Sequence, residues 1–134
     1  MLVLNPSSVT FGSATWSNVT ALVIERAAQK QVTEWSDNGP HAVLADVPEQ
    51  VVKVRVVSEV VSGDPNGPST GASGVLTATT GPNASDALRR VISIAAVVVG
   101  VSYELSQKKG AVRTVDLVAV SSDGASDPVS VTDA

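Results

Sequence analysis

The sequence predicts an all-β fold, mainly β with one short helix, built as an antiparallel sandwich or barrel. Three observations predict it. The stretch Gln50 to Val61 reads QVVKVRVVSEVV, and seven of its twelve residues are valine. Valine is stiff at χ1 and suits a pleated backbone. Second, valine is common throughout, helix formers are sparse, and Gly, Ser and Thr are plentiful, a composition that favours strands and turns over helices. Third, turn signals separate the apolar runs, with Ser36-Asp37-Asn38-Gly39-Pro40 the strongest in the first half. The 134 residues fit a single domain, 1–134.

Within Gln50–Val61 the residues alternate. Val52, Val54, Val56 and Val60 share one face; Lys53, Arg55 and Glu59 lie on the other, with Val51, Val57 and Val61. A period of two with a polar second face predicts a sheet buried on one side only. At about 3.3 Å per residue this strand spans roughly 40 Å, twice the usual length, which implies a sheet that continues beyond one compact monomer.

The other elements follow in chain order. Leu2 to Leu4 is a short apolar piece, Asn5-Pro6-Ser7-Ser8 a turn, Val9 to Phe11 a short strand, and Trp16-Ser17-Asn18 a connection. Val19 to Arg26 is a strand. Ala27 to Lys30 is a turn, or one turn of helix, leading to Gln31–Trp35 as the return of a hairpin. Ala42 to Ala45 is a short strand, and Asp46-Val47-Pro48-Glu49 a corner before the long central strand. Ser62 to Gly74 (SGDPNGPSTGASG) has no large apolar residue and is excluded from the core; it is a mobile loop or a segment that orders against a partner. Val75 to Thr80 is expected to return against Gln50–Val61. Asn83 or Ser85 caps a short helix over Asp86–Arg90, acid first and arginines last, as the helix dipole prefers. Val91 to Ser106 is a second long strand, nearly all apolar in its first half and alternating in its second. Gln107-Lys108-Lys109-Gly110 is a tight turn, Ala111 to Val120 its hairpin partner, Ser121 to Pro128 a loop, and Val129 to Val131 a terminal strand.

The chain has no cysteine, so disulfides and cysteine-bound metals are excluded. MLVLNPSSV has neither a basic region nor a long apolar run, so no cleaved signal is expected. The uncharged, apolar-rich run Val91 to Tyr103 falls well short of the roughly 20 residues of a membrane span, and the expectation is a soluble protein with no membrane anchor. The formal net charge of −4 argues against a surface that grips phosphates.

Chemistry is sparse. His41 is the single histidine; it follows a proline in a turn and reads as a loop residue, with no zinc set around it. No serine carries a nucleophile-elbow signature. Ser62–Gly74 lacks the spacing and the lysine of a phosphate-binding loop. Asp64-Pro65-Asn66-Gly67 and Asp123-Gly124 fit turns better than calcium loops. Arg89-Arg90 and Lys108-Lys109 are isolated basic pairs without aromatics for stacking bases. The sequence therefore predicts neither an enzyme nor a cofactor site. Only four aromatic residues, Phe11, Trp16, Trp35 and Tyr103, leave a core of small side chains, for which oligomerisation is a source of further burial.

The runs NGPHAVLADVPEQVVKVRVV, SGDPNGPSTGASG and ALRRVISIAAVVVGVSYELSQKKGAVRTVDLVAVSSDG together resemble the tail tube proteins of long-tailed bacteriophages, which are similar in fold to type VI secretion tube proteins. The resemblance implies hexameric rings, inner strands joined into one continuous barrel, and rings stacked into a hollow tube through which DNA passes without specific binding. It implies assembly in the host cytoplasm into the virion, with sheath, baseplate and tail terminator proteins as further partners. On that resemblance Asp64, Pro65, Asn66, Gly67 and Pro68 form a contact loop between rings or subunits, and Asp86–Arg90 is a flanking helix. Glu59, Glu104 and Asp116 are candidates for channel-facing acids, the alternatives being a solvated outer face or ion pairs with Lys53, Arg55 or Arg113. The competing functions are a tail completion or capsid decoration protein and a non-catalytic surface-binding β-sandwich, for which the scattered aromatics supply no platform.

Overall fold

The computed structural model describes residues 2–4, 6–60, 68–81, 88–107 and 110–133. Among them are nine strands: β1 (Leu2–Leu4), β2 (Ser7–Phe11), β3 (Ala14–Trp16), β4 (Val19–Trp35), β5 (Ala42–Glu59), β6 (Ser73–Thr79), β7 (Arg90–Ser106), β8 (Gly110–Ala119) and β9 (Val129–Asp133). They form a single sheet in the order β1-β4-β5-β8-β7-β6-β2-β3, with β9 added to β7. Every pairing is antiparallel. The expected all-β fold is present, but as one open sheet: no pairing among the described residues joins β1 to β3.

The sheet supplies its own cover. The buried side chains come from one face of seven strands, among them Leu22, Val54, Leu76, Ile94, Val98 and Leu117, all 1% exposed or less. With no helix among the described residues to shield that face, the sheet must roll over itself, as the right-handed twist of strands promotes. One contact between distant members of the order shows the roll: the Arg113 guanidinium of β8 sits 6.0 Å over the ring of Trp16 on β3. Trp16 in turn stacks on Phe11 of the neighbouring β2, ring centroids 5.3 Å apart, and the Glu59 amide donates to the Asn18 carbonyl at 3.0 Å, which extends the β4–β5 ladder by one residue.

The central alternation holds. Val52, Val54, Val56 and Ser58 are buried while Lys53, Arg55 and Glu59 are exposed. The hairpin of β7 and β8 also forms as expected, with Gly110 at φ +71°, a conformation that costs glycine nothing. In the first half of β7 one face is buried and the other half-buried. A register shift between Val98 and Gly100 leaves Val99 exposed and puts Val101 rather than an even-numbered residue beside buried Val115.

Four expectations are corrected. Ala27–Lys30 is neither turn nor helix, and Asp46–Glu49 is not a corner: β4 and β5 run through both, 17 and 18 residues long. The ladder absorbs the weak strand formers with bulges. Gln29 is an extra residue on β4 between Ala28 and Lys30, and Val47 with Pro48 face Gln31 alone between Glu49 and Asp46. A bulge is where a sheet tolerates proline. Third, β6 does not return against Gln50–Val61; it lies between β7 and β2, because β8 already occupies that edge of β5. Fourth, the expected helix is absent from its described part. Asp86 and Ala87 lie outside the described residues, Leu88 and Arg89 are not helical, and Arg90 opens β7, where its amide and carbonyl both bond Thr80.

Candidate functional site

Three features of the surface stand out: a projecting arm, a polar outer face, and a fork between the arm and β9.

The arm is the far half of the β4–β5 hairpin. The two strands pair from Val19↔Ser58 to Trp35↔Ala42, but β1 flanks β4 only at Ala21–Val23 and β8 flanks β5 only from Lys53 onward. Beyond Glu25 and before Val51 each strand has the other as its only ladder partner among the described residues. Every residue from Glu25 to Gln50 is exposed except half-buried Ser36. Ten residues of β4, Arg26–Trp35, extend the arm about 33 Å. The tip is the predicted turn: the Ser36 hydroxyl accepts from the Asn38 amide, and the Trp35 indole N–H donates to the Pro40 carbonyl at 3.2 Å. His41 lies at this exposed tip. Val32, Trp35, Val43, Leu44 and Val47 are all at least 40% exposed. Such apolar side chains on a two-stranded ribbon are unusual, because a hairpin with no third element is marginal in water.

The outer face is the side of β4, β5, β8 and β7 turned away from the core. The registers arrange it in rows, since residues directly opposite on neighbouring strands share a face. Glu59, Val112 and Glu104 form one row; Val57, Thr114 and Ser102 the next; Arg55, Asp116 and Gly100 the third. The three sequence-predicted acids, distant in the chain, therefore share one surface. Glu59 and Glu104 flank Val112 near the β7–β8 turn and are exposed. Asp116 is ion-paired: the Arg55 Nε donates to its Oδ1 at 3.1 Å, one of the alternatives read for it. Lys53 stands opposite Glu25 on β4. Both cations of this patch thus have an acid beside them, and its four acids exceed its two bases. Arg113 belongs to the inner face, 7% exposed, with its Nε buried and unpartnered.

The fork forms where β8 ends. The β8 ladder on β7 stops at Ala96↔Ala119, and β9 takes over the same edge at Ile94↔Val129. At that level β5 has passed Lys53, its last residue paired with β8, and enters the arm. The Ser121–Pro128 loop spans the crotch, leaving a groove of about 540 Å³ lined by Arg26, Pro48, Gln50, Val120 and Ser126 among others. Asp123 organises the loop. It accepts from the Ala125 and Ser126 amides and from the hydroxyls of Ser121 and Ser126 at 2.8–2.9 Å. These donors, the Ser126 amide foremost, hold its carboxyl well below the usual carboxylate range. Asp127 takes both terminal nitrogens of Arg26 at 3.0 and 3.2 Å, tying the loop to the base of the arm. The Arg26 bond, then the Val129 amide, lower its pKa.

Of the expected contact loop, Asp64, Pro65, Asn66 and Gly67 lie outside the described residues. Pro68 is half-buried, and the chain after it is held on β7: the Gly71 amide donates to the Val98 carbonyl at 2.7 Å, and the Val98 amide to that of Ala72 at 2.9 Å. Sequence reasoning missed the arm and the fork. The Asn38-Gly39 turn signal with apolar residues on both flanks, Val32 and Trp35 before it and Val43, Leu44 and Val47 after it, was the available signal for the arm; for the Arg26–Asp127 tie there was none, since the partners lie 101 residues apart.

No protein-family model matches the chain, and no curated protein matches it.

Proposed function

We propose that the protein is a structural subunit that assembles with copies of itself into stacked rings, forming a hollow tube for DNA passage such as the tail tube of a long-tailed phage. The arm carries the reading. Among the described residues its side chains are exposed apart from half-buried Ser36, it presents apolar side chains along its length, and contact with another molecule would stabilise it. Identical neighbours are the economical cover, because a contact between two different patches of the same chain repeats and closes into a ring. The outer face supports a channel role. Duplex DNA carries one charge per about 1.7 Å, so unpaired cations on a lumen would hold it. Here Arg55 is answered by Asp116, Lys53 faces Glu25, and Glu59 and Glu104 leave the surface acidic. The partners that follow are the tube's own copies and the sheath, baseplate and terminator proteins of such a tail, with the virion as its location. Negative-stain electron microscopy of the purified chain at rising concentration tests this: tubes with a regular ring repeat are expected. Closed rings alone favour a completion or decoration protein, and a strict monomer refutes self-assembly.

A further inference from the structure

The two edges of the arm are unequal. On β5 the ladder carries extra residues twice, Val47 with Pro48 and Val43, and Pro48 has no N–H to donate. Bulges and proline are the means by which an edge is closed to a further strand. On β4 the six residues Lys30–Trp35 (KQVTEW) run without an inserted residue. A second edge of similar length is found on β9, which among the described residues pairs only with β7. It is exposed after half-buried Val129, and Val131 is 48% exposed. The arm strand that lies nearest β9 within the chain is β5, the closed edge.

We propose that Lys30–Glu34 of one copy adds antiparallel to the outer edge of β9 in the next copy, in the register Lys30↔Asp133, Gln31↔Thr132, Val32↔Val131, Thr33↔Ser130 and Glu34↔Val129. This deepens the tube reading and rests on it. The register sets Lys against Asp, Val against Val and Thr against Ser, all favourable cross-strand pairs. A parallel arrangement over the same residues sets Glu34 against Asp133, and an antiparallel shift by two residues loses the Lys–Asp pair. Asp133, already ion-paired with Arg90 on β7, then has a cation on each side. Pairing of two arms with each other is disfavoured by area. One face of the arm offers about 330 Å², from a length near 33 Å and a width near 10 Å, against about 800 Å² per partner in a stable interface. Seated in a neighbour's fork, the arm is covered on more than one side. Because the two edges differ, the contact is head-to-tail and propagates around a ring. The Arg26–Asp127 tie holds the fork's two prongs in relation to each other.

The cysteine-free chain makes the test direct. Two double variants, Val32→Cys with Val131→Cys and Thr33→Cys with Ser130→Cys, place thiols at adjacent cross-strand positions. One of the two is a non-hydrogen-bonded pair with the shorter Cβ separation. Each is assembled under reducing conditions, imaged, then mildly oxidised and run on a denaturing gel. The expected result is a ladder of covalent multimers from at least one double variant, and no comparable ladder from any single variant. Three results overturn the pairing: tubes without a cross-link from either double variant, efficient dimers from Val32→Cys or Thr33→Cys alone, or a link confined within one chain. In each of these the tube reading survives if tubes are seen. If the unmodified chain forms no tubes or rings at any concentration, it is the tube reading that fails.

Discussion

Removing the arm separates folding from assembly. Ala27 and Val51 are directly opposed in the β4–β5 ladder, so residues 28–50 can be replaced by Asn-Gly, the two-residue turn that suits a twisted hairpin. The buried core lies wholly in residues 9–24 and 52–117, so no core side chain is lost. Arg26 and its bonds to Asp127 are retained. Shortening the connection from over twenty residues to two gains at most about 2 kcal/mol of closure entropy, at about 0.6 kcal/mol per halving. The pairing lost is that of a two-stranded ribbon, which is near zero in net stability. Denaturant unfolding should therefore give a stability equal to that of the full chain or up to about 2 kcal/mol higher. Sedimentation and electron microscopy should show a monomer at concentrations where the full chain assembles. A loss of several kcal/mol would mean that the arm belongs to the cooperative core, and undiminished assembly would mean that it is not the contact.

Leu117→Ala, at a site 1% exposed between Val54 and Val98, should cost about 2–5 kcal/mol in denaturant unfolding. Ser8 is exposed and left-handed at φ 51°, beside the register shift of β2; Ser8→Gly should stabilise by about 0.5–1 kcal/mol, read from the same unfolding curves. Asp123 and Asp127 have folded pKa values below their unfolded ones, so their bonds stabilise the loop fully above the unfolded value, near 3.9, and are lost as pH falls from there through the folded values. Amide exchange at Gly124–Ser126 should be flat between pH 5 and 8 after correction for the intrinsic rate, and should lose protection in acid. Asp116→Asn breaks an ion pair whose side chains are 61% and 44% exposed, so stability should change by less than about 1 kcal/mol. With Arg55 unanswered, DNA binding in low salt should rise, and a gel-shift assay that shows no increase counts against the proposed channel role of this acidic face.

The sequence by itself determined the features that depend on neighbouring residues. The alternation of Val52, Val54 and Val56 with Lys53 and Arg55 specified a strand and its buried face, because the side-chain period of a pleat is two. Gly110 specified a turn because glycine accepts the positive φ, +71°, that it adopts there; Asn38-Gly39 also marked a turn, but neither residue takes positive φ in it. The same local logic failed at Ala27–Lys30 and at Pro48. There, poor strand formers are carried by a continuous partner strand and a bulge, and ladder hydrogen bonds outweigh weak propensity. Only the tertiary structure decided which strands pair, since a valine-rich face fits many partners equally well and the choice lies in long-range register. That choice set β6 against β2 and β7, brought Glu59, Glu104 and Asp116 onto one surface, and paired Asp116 with Arg55 from 61 residues away. It also ended β8 short of the hairpin it flanks, and so left the arm standing clear of the core with its apolar side chains in water.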